Sequence, residues 1–94
     1  KGFGGLVRWE KKNTDGTVYY DGVLGATVEV WLGNQFIERM TADADGWYLS
    51  NYVHSGKDTT YTVKLIPGNG YGALPQSVLV GKSVKFGEGN FVIK

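Results

Sequence analysis

Apolar and polar residues alternate along several short stretches of this chain, a period of two that is typical of β-strands. The clearest stretch is 25–32, in which Thr27, Glu29 and Trp31 lie opposite an apolar face. That apolar face consists of Ala26, Val28, Val30 and Leu32. The stretch 60–66 alternates in the same way, with Tyr61, Val63 and Leu65 predicted to face inward and Thr62 and Lys64 outward. No stretch shows a helical period, so these segments are predicted to be strands.

The remaining pattern extends this interpretation to the whole chain. Gly33-Asn34 is a two-residue hairpin signal, so the strand that follows should return antiparallel to the one before it. Further short strands are predicted at 6–12, 17–20, 35–41, 77–80, 83–86 and 90–93, and another begins at Trp47. About seven short strands separated by turns predict an all-β fold, an antiparallel two-sheet β-sandwich.

The stretch 41–48 reads T-A-D-A-D-G-W-Y and carries the strongest turn signal in the chain. Asp43 and Asp45 are residues whose carboxylates accept hydrogen bonds from nearby backbone amides, and Gly46 tolerates the positive φ that tight turns need. Trp47 then opens a run of β-favouring residues. The stretch is therefore predicted to be a turn that joins two strands, around which the rest of the chain is organised.

Length and composition limit the domain count and the function classes. The 94 residues suffice for one domain with a single core, and 15 glycines without a fixed period indicate many turns. A net charge of +1 with scattered lysines argues against nucleic-acid binding. The sequence has no apolar run long enough for a membrane-spanning helix and no cysteine for a thiol nucleophile or a disulfide. Because the first residue is Lys1, residues 1–94 are interpreted as a single module excised from a larger protein.

Four stretches resemble one group of β-sandwich modules: G-L-V at 5–7, G-A-T-V-E-V at 25–30, T-A-D-A-D-G-W-Y at 41–48 and Y-T-V-K-L at 61–65. In this order they resemble the carboxypeptidase regulatory-like family of transthyretin-type sandwiches. They are also similar to collagen-adhesin B-type domains, the B repeats of serine-aspartate adhesins and cellulosomal X modules. The resemblance implies a transthyretin-like or immunoglobulin-like fold in a non-catalytic, secreted or cell-surface module of a multimodular bacterial protein. Such a fold leaves the activity open.

Collagen-adhesin B-type domains often carry an internal lysine–asparagine isopeptide bond. The resemblance makes Lys11 the candidate lysine and Asn90 the candidate asparagine. Formation of the bond needs a buried acid that moves protons. Leu65 stands where that family places the acid, so we expect no internal crosslink.

The B repeats of serine-aspartate adhesins bind calcium in a loop that resembles D-x-N-x-N-G, and the corresponding stretch here starts at Lys11. Lysine thus replaces the first acid, whereas calcium takes about six or more oxygen ligands, several from carboxylates. A weak site at Asn13, Asp15 and Asp21 is less favoured than a plain turn. We expect no metal and no other cofactor.

The chain is predicted not to be an enzyme. His54 is its only histidine and is followed by Ser55 in the loop segment 51–59. A serine–histidine pair also needs an orienting acid and an oxyanion hole, and adjacent residues of an extended loop point apart. Paired carboxylates for sugar hydrolysis need a cleft that so small a sandwich has little room to form. His54 is interpreted as a solvated loop residue.

The functional hypothesis depends on where the three tryptophans lie. Trp9 shares the inward face of its strand with Val7 and is predicted to pack in the core. Trp31 and Trp47 lie opposite the apolar sets of their strands, and exposed aromatic residues often mark contact surfaces. Sugar rings stack on indole much as nucleic-acid bases stack on aromatic side chains. Two interpretations stay open for Trp31 and Trp47, a glycan-binding pair or cross-strand packing, because a register shift of one residue reverses the face.

The leading hypothesis is a carbohydrate-binding accessory module of a secreted polysaccharide-degrading or cell-surface protein. Trp31 and Trp47 would stack on a plant or cell-wall polysaccharide, and Glu29, Gln35 and Arg39 would bond its hydroxyl groups. One alternative is a structural spacer whose aromatic residues pack against neighbouring domains of the same chain. Another is an adhesin repeat that binds a protein through an edge strand or a loop. We expect a monomer that binds neither nucleic acid nor membranes.

Overall fold

The computed structural model describes residues 2–51, 57–68, 70–82 and 84–94. The strands of this part of the chain are β1 (Gly2–Lys12), β2 (Val18–Gly22), β3 (Thr27–Leu32), β4 (Gln35–Thr41), β5 (Trp47–Leu49), β6 (Thr59–Leu65), β7 (Leu74–Val80), β8 (Phe86–Glu88) and β9 (Phe91–Ile93). The predicted all-β two-sheet fold is confirmed, with nine strands in the described residues rather than about seven. Among the same residues, no helix is long and apolar enough to cross a membrane.

The strands form two sheets. β1 is the centre of the first sheet: its N-terminal half pairs with β5 and β8, and its C-terminal half pairs with β2 and β9. The second sheet has the order β4-β3-β6-β7 and is antiparallel throughout. β1 runs parallel to β8 and β9, whereas its other two pairings are antiparallel. The start and the end of the chain therefore lie side by side in one sheet.

A single cluster of buried apolar side chains lies between the sheets. It includes the predicted inward residues of β3 and β6, namely Val28, Val30, Tyr61, Val63 and Leu65. Trp9 packs partly buried against this cluster, as predicted for a residue on the inward face of β1. Its ring meets that of Tyr71 edge-on, with 5.6 Å between centroids.

The turn between β4 and β5 connects the second sheet to the first. Asp43 Oδ1 accepts hydrogen bonds from the backbone N–H groups of Asp45 at 2.9 Å and Trp47 at 3.0 Å, as predicted. Gly46 has φ 82, and its carbonyl accepts a hydrogen bond from Val7 N at 2.7 Å. A Cβ at Gly46 would lie 2.1 Å from the Val7 carbonyl oxygen. The turn therefore needs glycine both for its backbone conformation and for its contact with β1.

Several strand boundaries differ from the sequence prediction. β1 begins at Gly2 rather than at residue 6, because its glycine-rich start has no side-chain alternation to read. A Cβ at Gly5 would lie 2.0 Å from the Gly89 carbonyl oxygen, so this part of β1 depends on glycine to approach the segment after β8. Further differences include β2, which continues through the expected break at 21–22, and β7, which begins at Leu74 rather than at residue 77. β8 covers Phe86–Glu88 rather than 83–86.

Candidate functional site

Trp31 lies on the outer side of the second sheet, opposite the buried Val30. Its indole Nε1–H donates a hydrogen bond to Glu29 Oε1 at 3.0 Å. Arg39, directly across from Glu29 on β4, donates from Nε and Nη2 to Glu29 Oε2 at 3.1 and 3.0 Å. Trp31, Glu29 and Arg39, which the sequence proposed as site residues, are therefore joined in one hydrogen-bonded network.

Glu29 is the centre of this network. Its side chain is 12% exposed, whereas that of Arg39 is 64% exposed. The hydrogen bond from Trp31 is the main cause that lowers the pKa of Glu29, with further contributions from the Arg39 hydrogen bond and from the charges of Arg39 and Lys64. Burial opposes these contributions. Glu29 is therefore ionised at neutral pH and holds the indole in one orientation through a charge-assisted hydrogen bond.

Two further side chains contact Trp31 from the neighbouring strands. Lys64 Nζ on β6 lies 4.6 Å from the centroid of the indole ring. Phe36 on β4 meets the indole edge-on, with 5.5 Å between centroids and an interplanar angle of 74°. The guanidinium carbon of Arg39 lies 5.7 Å from the Phe36 centroid. We call the surface formed by Glu29, Trp31, Phe36, Arg39 and Lys64 the Trp31 face.

A β-bulge decides which residues of β4 join the Trp31 face. The register of β3 and β4 shifts between Val30 and Trp31, and Ile37 is left without a paired residue on β3. Phe36 and Arg39 therefore lie on the same side of the sheet although they are three residues apart in the chain. Strict alternation places them on opposite sides, so the sequence pattern missed Phe36. Lys64 was predicted to face outward, but nothing in the pattern placed it next to Trp31.

Gln35 and Leu32 form the last pair of the hairpin made by β3 and β4. Because Phe36 faces the Trp31 side, Gln35 lies on the opposite side and does not join the other predicted site residues. Leu32 lies on the same side of β3 as Val28 and Val30, as predicted, but it is 38% exposed and does not enter the core. β6 pairs with β3 only as far as Trp31, which leaves Leu32 beyond the covered part of the sheet. The predicted two-residue turn is confirmed, with Gly33 at φ 58.

Trp47 lies on the first sheet, where it pairs with Leu6 of β1 and is 36% exposed. Leu49 and Phe86, which are 54% and 41% exposed, share its outer side. Trp31 is on the outer side of the second sheet, so the two tryptophans face away from the core on opposite sides of the sandwich. They form no common surface. We call the surface formed by Leu6, Trp47, Leu49 and Phe86 the Trp47 face.

The turn after β1, considered above as a calcium loop, uses its polar groups internally. Asp15 Oδ1 accepts hydrogen bonds from Thr17 Oγ1 at 2.7 Å and Thr17 N at 3.0 Å, which lower the pKa of Asp15. Asn13 Nδ2 donates to Thr17 Oγ1 at 2.8 Å, and Asp21 pairs with Lys11 Nζ at 2.9 Å. Within the described ranges, no group of three or more acidic, histidine or cysteine side chains is placed to hold a metal ion. The polar side chains of this segment therefore form hydrogen bonds and an ion pair with one another, as in an ordinary turn.

Lys11 belongs to β1, and Asn90 contacts β1 at a different position along the strand. Asn90 Oδ1 accepts a hydrogen bond from Leu6 N at 3.0 Å, whereas Lys11 is five residues further along the strand. At about 3.3 Å per residue, this separation is roughly 16 Å. Leu65 is buried in the core. The absence of an internal crosslink stays a prediction, and the placement of these residues is in keeping with it.

The structure does not describe the residues that the sequence analysis considered as catalytic candidates. His54 and Ser55 lie outside the described residues. A groove of about 380 Å³ opens between the loop after β6 and strand β9. Its lining consists of Gly70, Tyr71, Gly72, Ala73, Leu74, Val92, Ile93 and Lys94, without a carboxylate. This groove therefore does not provide the paired acids of a glycosidase.

Comparison with known proteins finds no relative of this chain: no protein-family model, no curated protein and no solved structure matches it significantly. The resemblance to carboxypeptidase regulatory-like modules therefore stays a prediction from the motifs in the sequence.

Proposed function

We propose that this chain is a non-catalytic module that binds carbohydrate through the Trp31 face. The observation that carries the proposal is the orientation of Trp31, whose indole N–H is bound by a carboxylate that is itself held by Arg39. A side chain held in this way loses little conformational entropy when a ligand binds. The aromatic pair that would contact the sugar is Trp31 with Phe36, in place of the pair Trp31 and Trp47 that the sequence suggested.

Stacking of a sugar on Trp31 is energetically feasible although Lys64 lies over the indole ring. A base stacked on an aromatic side chain contributes about 1 to 3 kcal/mol, and a sugar ring presents a similar apolar face. An exposed cation–π contact contributes about 0.5 to 1 kcal/mol. The flexible stem of lysine lets its ammonium group move aside. Replacing the cation–π contact with a stacked sugar is therefore favourable on balance.

The composition of the surrounding sheet surface also suits a glycan. By strand register, hydroxyl side chains extend the outer side of the second sheet on both flanks of Trp31, namely Thr27, Thr41, Thr60, Thr62 and Ser77. Hydroxyl groups and the charged groups of Arg39 and Lys64 are donors and acceptors that sugar hydroxyls can use. An open sheet surface with one fixed aromatic cluster fits an extended polysaccharide.

The test is affinity electrophoresis in gels that contain a soluble β-glucan, a mannan or a pectin. Trp31→Ala should lose retardation on the polymer that retards the wild type. Trp47→Ala is the matched control, because it removes the same side chain from the opposite side of the sandwich, and it should be retarded like the wild type. A cooperative thermal melt establishes that each variant is folded. A wild type that no polymer retards, or folded Trp31→Ala that is retarded normally, would overturn the proposal.

A second candidate function is a structural module that packs against a neighbouring domain through the Trp47 face. Three exposed apolar side chains lie together there, and such patches often mark protein contacts. Arg8 adjoins this face and stacks over Tyr20 at 4.7 Å, while its Nε has no hydrogen-bond partner among the described residues. Under this function the wild type binds no polysaccharide, and Trp47→Ala weakens binding of the dye ANS to the isolated module.

A further inference from the structure

The Trp31 face carries two cations and one carboxylate. Its charged residues are Glu29, Arg39 and Lys64, and the register of the second sheet places no other charged side chain on this outer side within the described strands. Glu29 is 12% exposed and is already bonded to Trp31 and Arg39. Two positive groups against one enclosed negative group leave a surplus of one positive charge at the surface.

Lys64 is the source of the available charge. Within the part of the chain that the structure describes, the ion pairs are Lys11 with Asp21 and Arg39 with Glu29, and Lys64 forms neither. Its Nζ instead lies 4.6 Å from the centroid of the Trp31 ring. A sugar that stacks on this indole must therefore meet the ammonium group beside it, because the cation already occupies the ring.

We infer that the Trp31 face selects a polysaccharide whose sugar rings carry carboxylates, that is, a polyuronate. This inference rests on the proposed function and names the ligand class. A ring carboxylate next to the stacked sugar pairs with Lys64 Nζ when the ammonium leaves the indole, so the displaced cation gains an ionic partner. A neutral sugar offers only hydroxyl groups to the same cation. The exposed guanidinium of Arg39 adds a second positive group on the same side.

A polyuronate fits the Trp31 face better than a nucleic acid does. The whole chain has a net charge of only +1, and the Trp31 face carries two cations, Arg39 and Lys64, beside an aromatic pair. Phosphate backbones need several cations along a track. A single cation beside an indole suits a polymer that alternates an apolar ring face with one negative group per residue.

The experiment uses two forms of one polymer, homogalacturonan with free carboxylates and the same polymer fully methyl-esterified, together with a neutral β-glucan and single-stranded DNA. The wild type should bind the free acid more tightly than the ester, by up to about five-fold, the upper end of the range for one exposed ion pair. Added salt should reduce this preference because the pair is exposed. Lys64→Gln should lose most of the preference for the free acid, because only Arg39 then stays as a cation on this face. Lys12→Gln is the matched control and should behave like the wild type, and Trp31→Ala should bind neither form.

The outcomes separate this inference from the function on which it rests. Equal binding of the acid and the ester by the wild type overturns the polyuronate inference and leaves carbohydrate binding in place. An unchanged preference in Lys64→Gln also overturns it. Equal or tighter binding of single-stranded DNA shows a general polyanion surface and overturns it as well. Absence of binding to every polysaccharide overturns the proposed function itself.

Discussion

Replacement of Gly46 by alanine should destabilise the protein more than the same change at a turn glycine where the added Cβ would meet no neighbouring atom. Gly46 has φ 82, which a residue with a Cβ adopts at a cost of about 1 to 2 kcal/mol. The added Cβ would lie 2.1 Å from the Val7 carbonyl oxygen, and insertion of a methyl group into a packed site costs about 1 to 3 kcal/mol. The shift that relieves this clash weakens the hydrogen bond from Val7 N to the Gly46 carbonyl, worth about 1 kcal/mol. The expected loss in the free energy of unfolding is about 3 to 6 kcal/mol.

Gly16 provides the control for this change. It has φ 90, but a Cβ there would meet no atom within 4 Å, so Gly16→Ala tests the backbone conformation alone. Its expected loss is about 1 to 2 kcal/mol. Urea unfolding followed by tryptophan fluorescence measures both variants, with equal m-values as the criterion for comparing them. If the two losses agree within about 0.5 kcal/mol, then the contact between the turn and β1 contributes nothing, and the reasoning from close approach is refuted.

Two further predictions concern carboxylates whose hydrogen bonds are described above. Asp43→Ala should lower the free energy of unfolding by about 1 to 2 kcal/mol because two backbone N–H groups lose their acceptor. Asp43→Asn keeps an acceptor oxygen and should lose less in the same urea assay, so equal losses would contradict the hydrogen-bond account. The folded-state pKa of Glu29 is lowered, so its stabilisation is present above the unfolded pKa near 4.3 and is lost as the pH falls through the folded pKa. In acid, the midpoint temperature of thermal unfolding should depend less on pH for Glu29→Gln than for the wild type. Glu10→Gln is the control and should follow the wild type. Parallel curves for Glu29→Gln and the wild type would argue against this linkage.

The local features of this protein follow from its sequence because local chemistry produces them. Alternation within β3 and β6 specifies which side chains enter the core, since successive side chains of a strand point to opposite faces. The turn at 41–48 forms from hydrogen bonds between Asp43 and amides two and four residues away. The Gly33-Asn34 hairpin likewise needs only its own two residues and the adjoining strands. All three features were predicted from the residues and are present in the structure.

The candidate site depends on contacts that alternation does not encode. One bulge in β4 reverses the side on which Phe36 and Gln35 lie. The sequence pattern therefore missed Phe36 as a neighbour of Trp31 and wrongly assigned Gln35 to the same surface. The pattern also places Trp31 and Trp47 on outer faces without specifying which sheet each strand joins. Only the pairing of distant strands decides that.

The sequence by itself therefore determined the presence of the strands, the central turn and the placement of Trp31 and Trp47 opposite the apolar sets of their strands, and it left open whether the two side chains are exposed. The tertiary structure alone decided that these tryptophans lie on opposite sides of the sandwich and that Lys64 lies beside Trp31. It also decided that β1 pairs in parallel with β8 and β9. The physical reason is that strand pairing and bulges arise from backbone hydrogen bonds between segments far apart in the chain. Such bonds do not produce a periodic pattern of residue types in either segment.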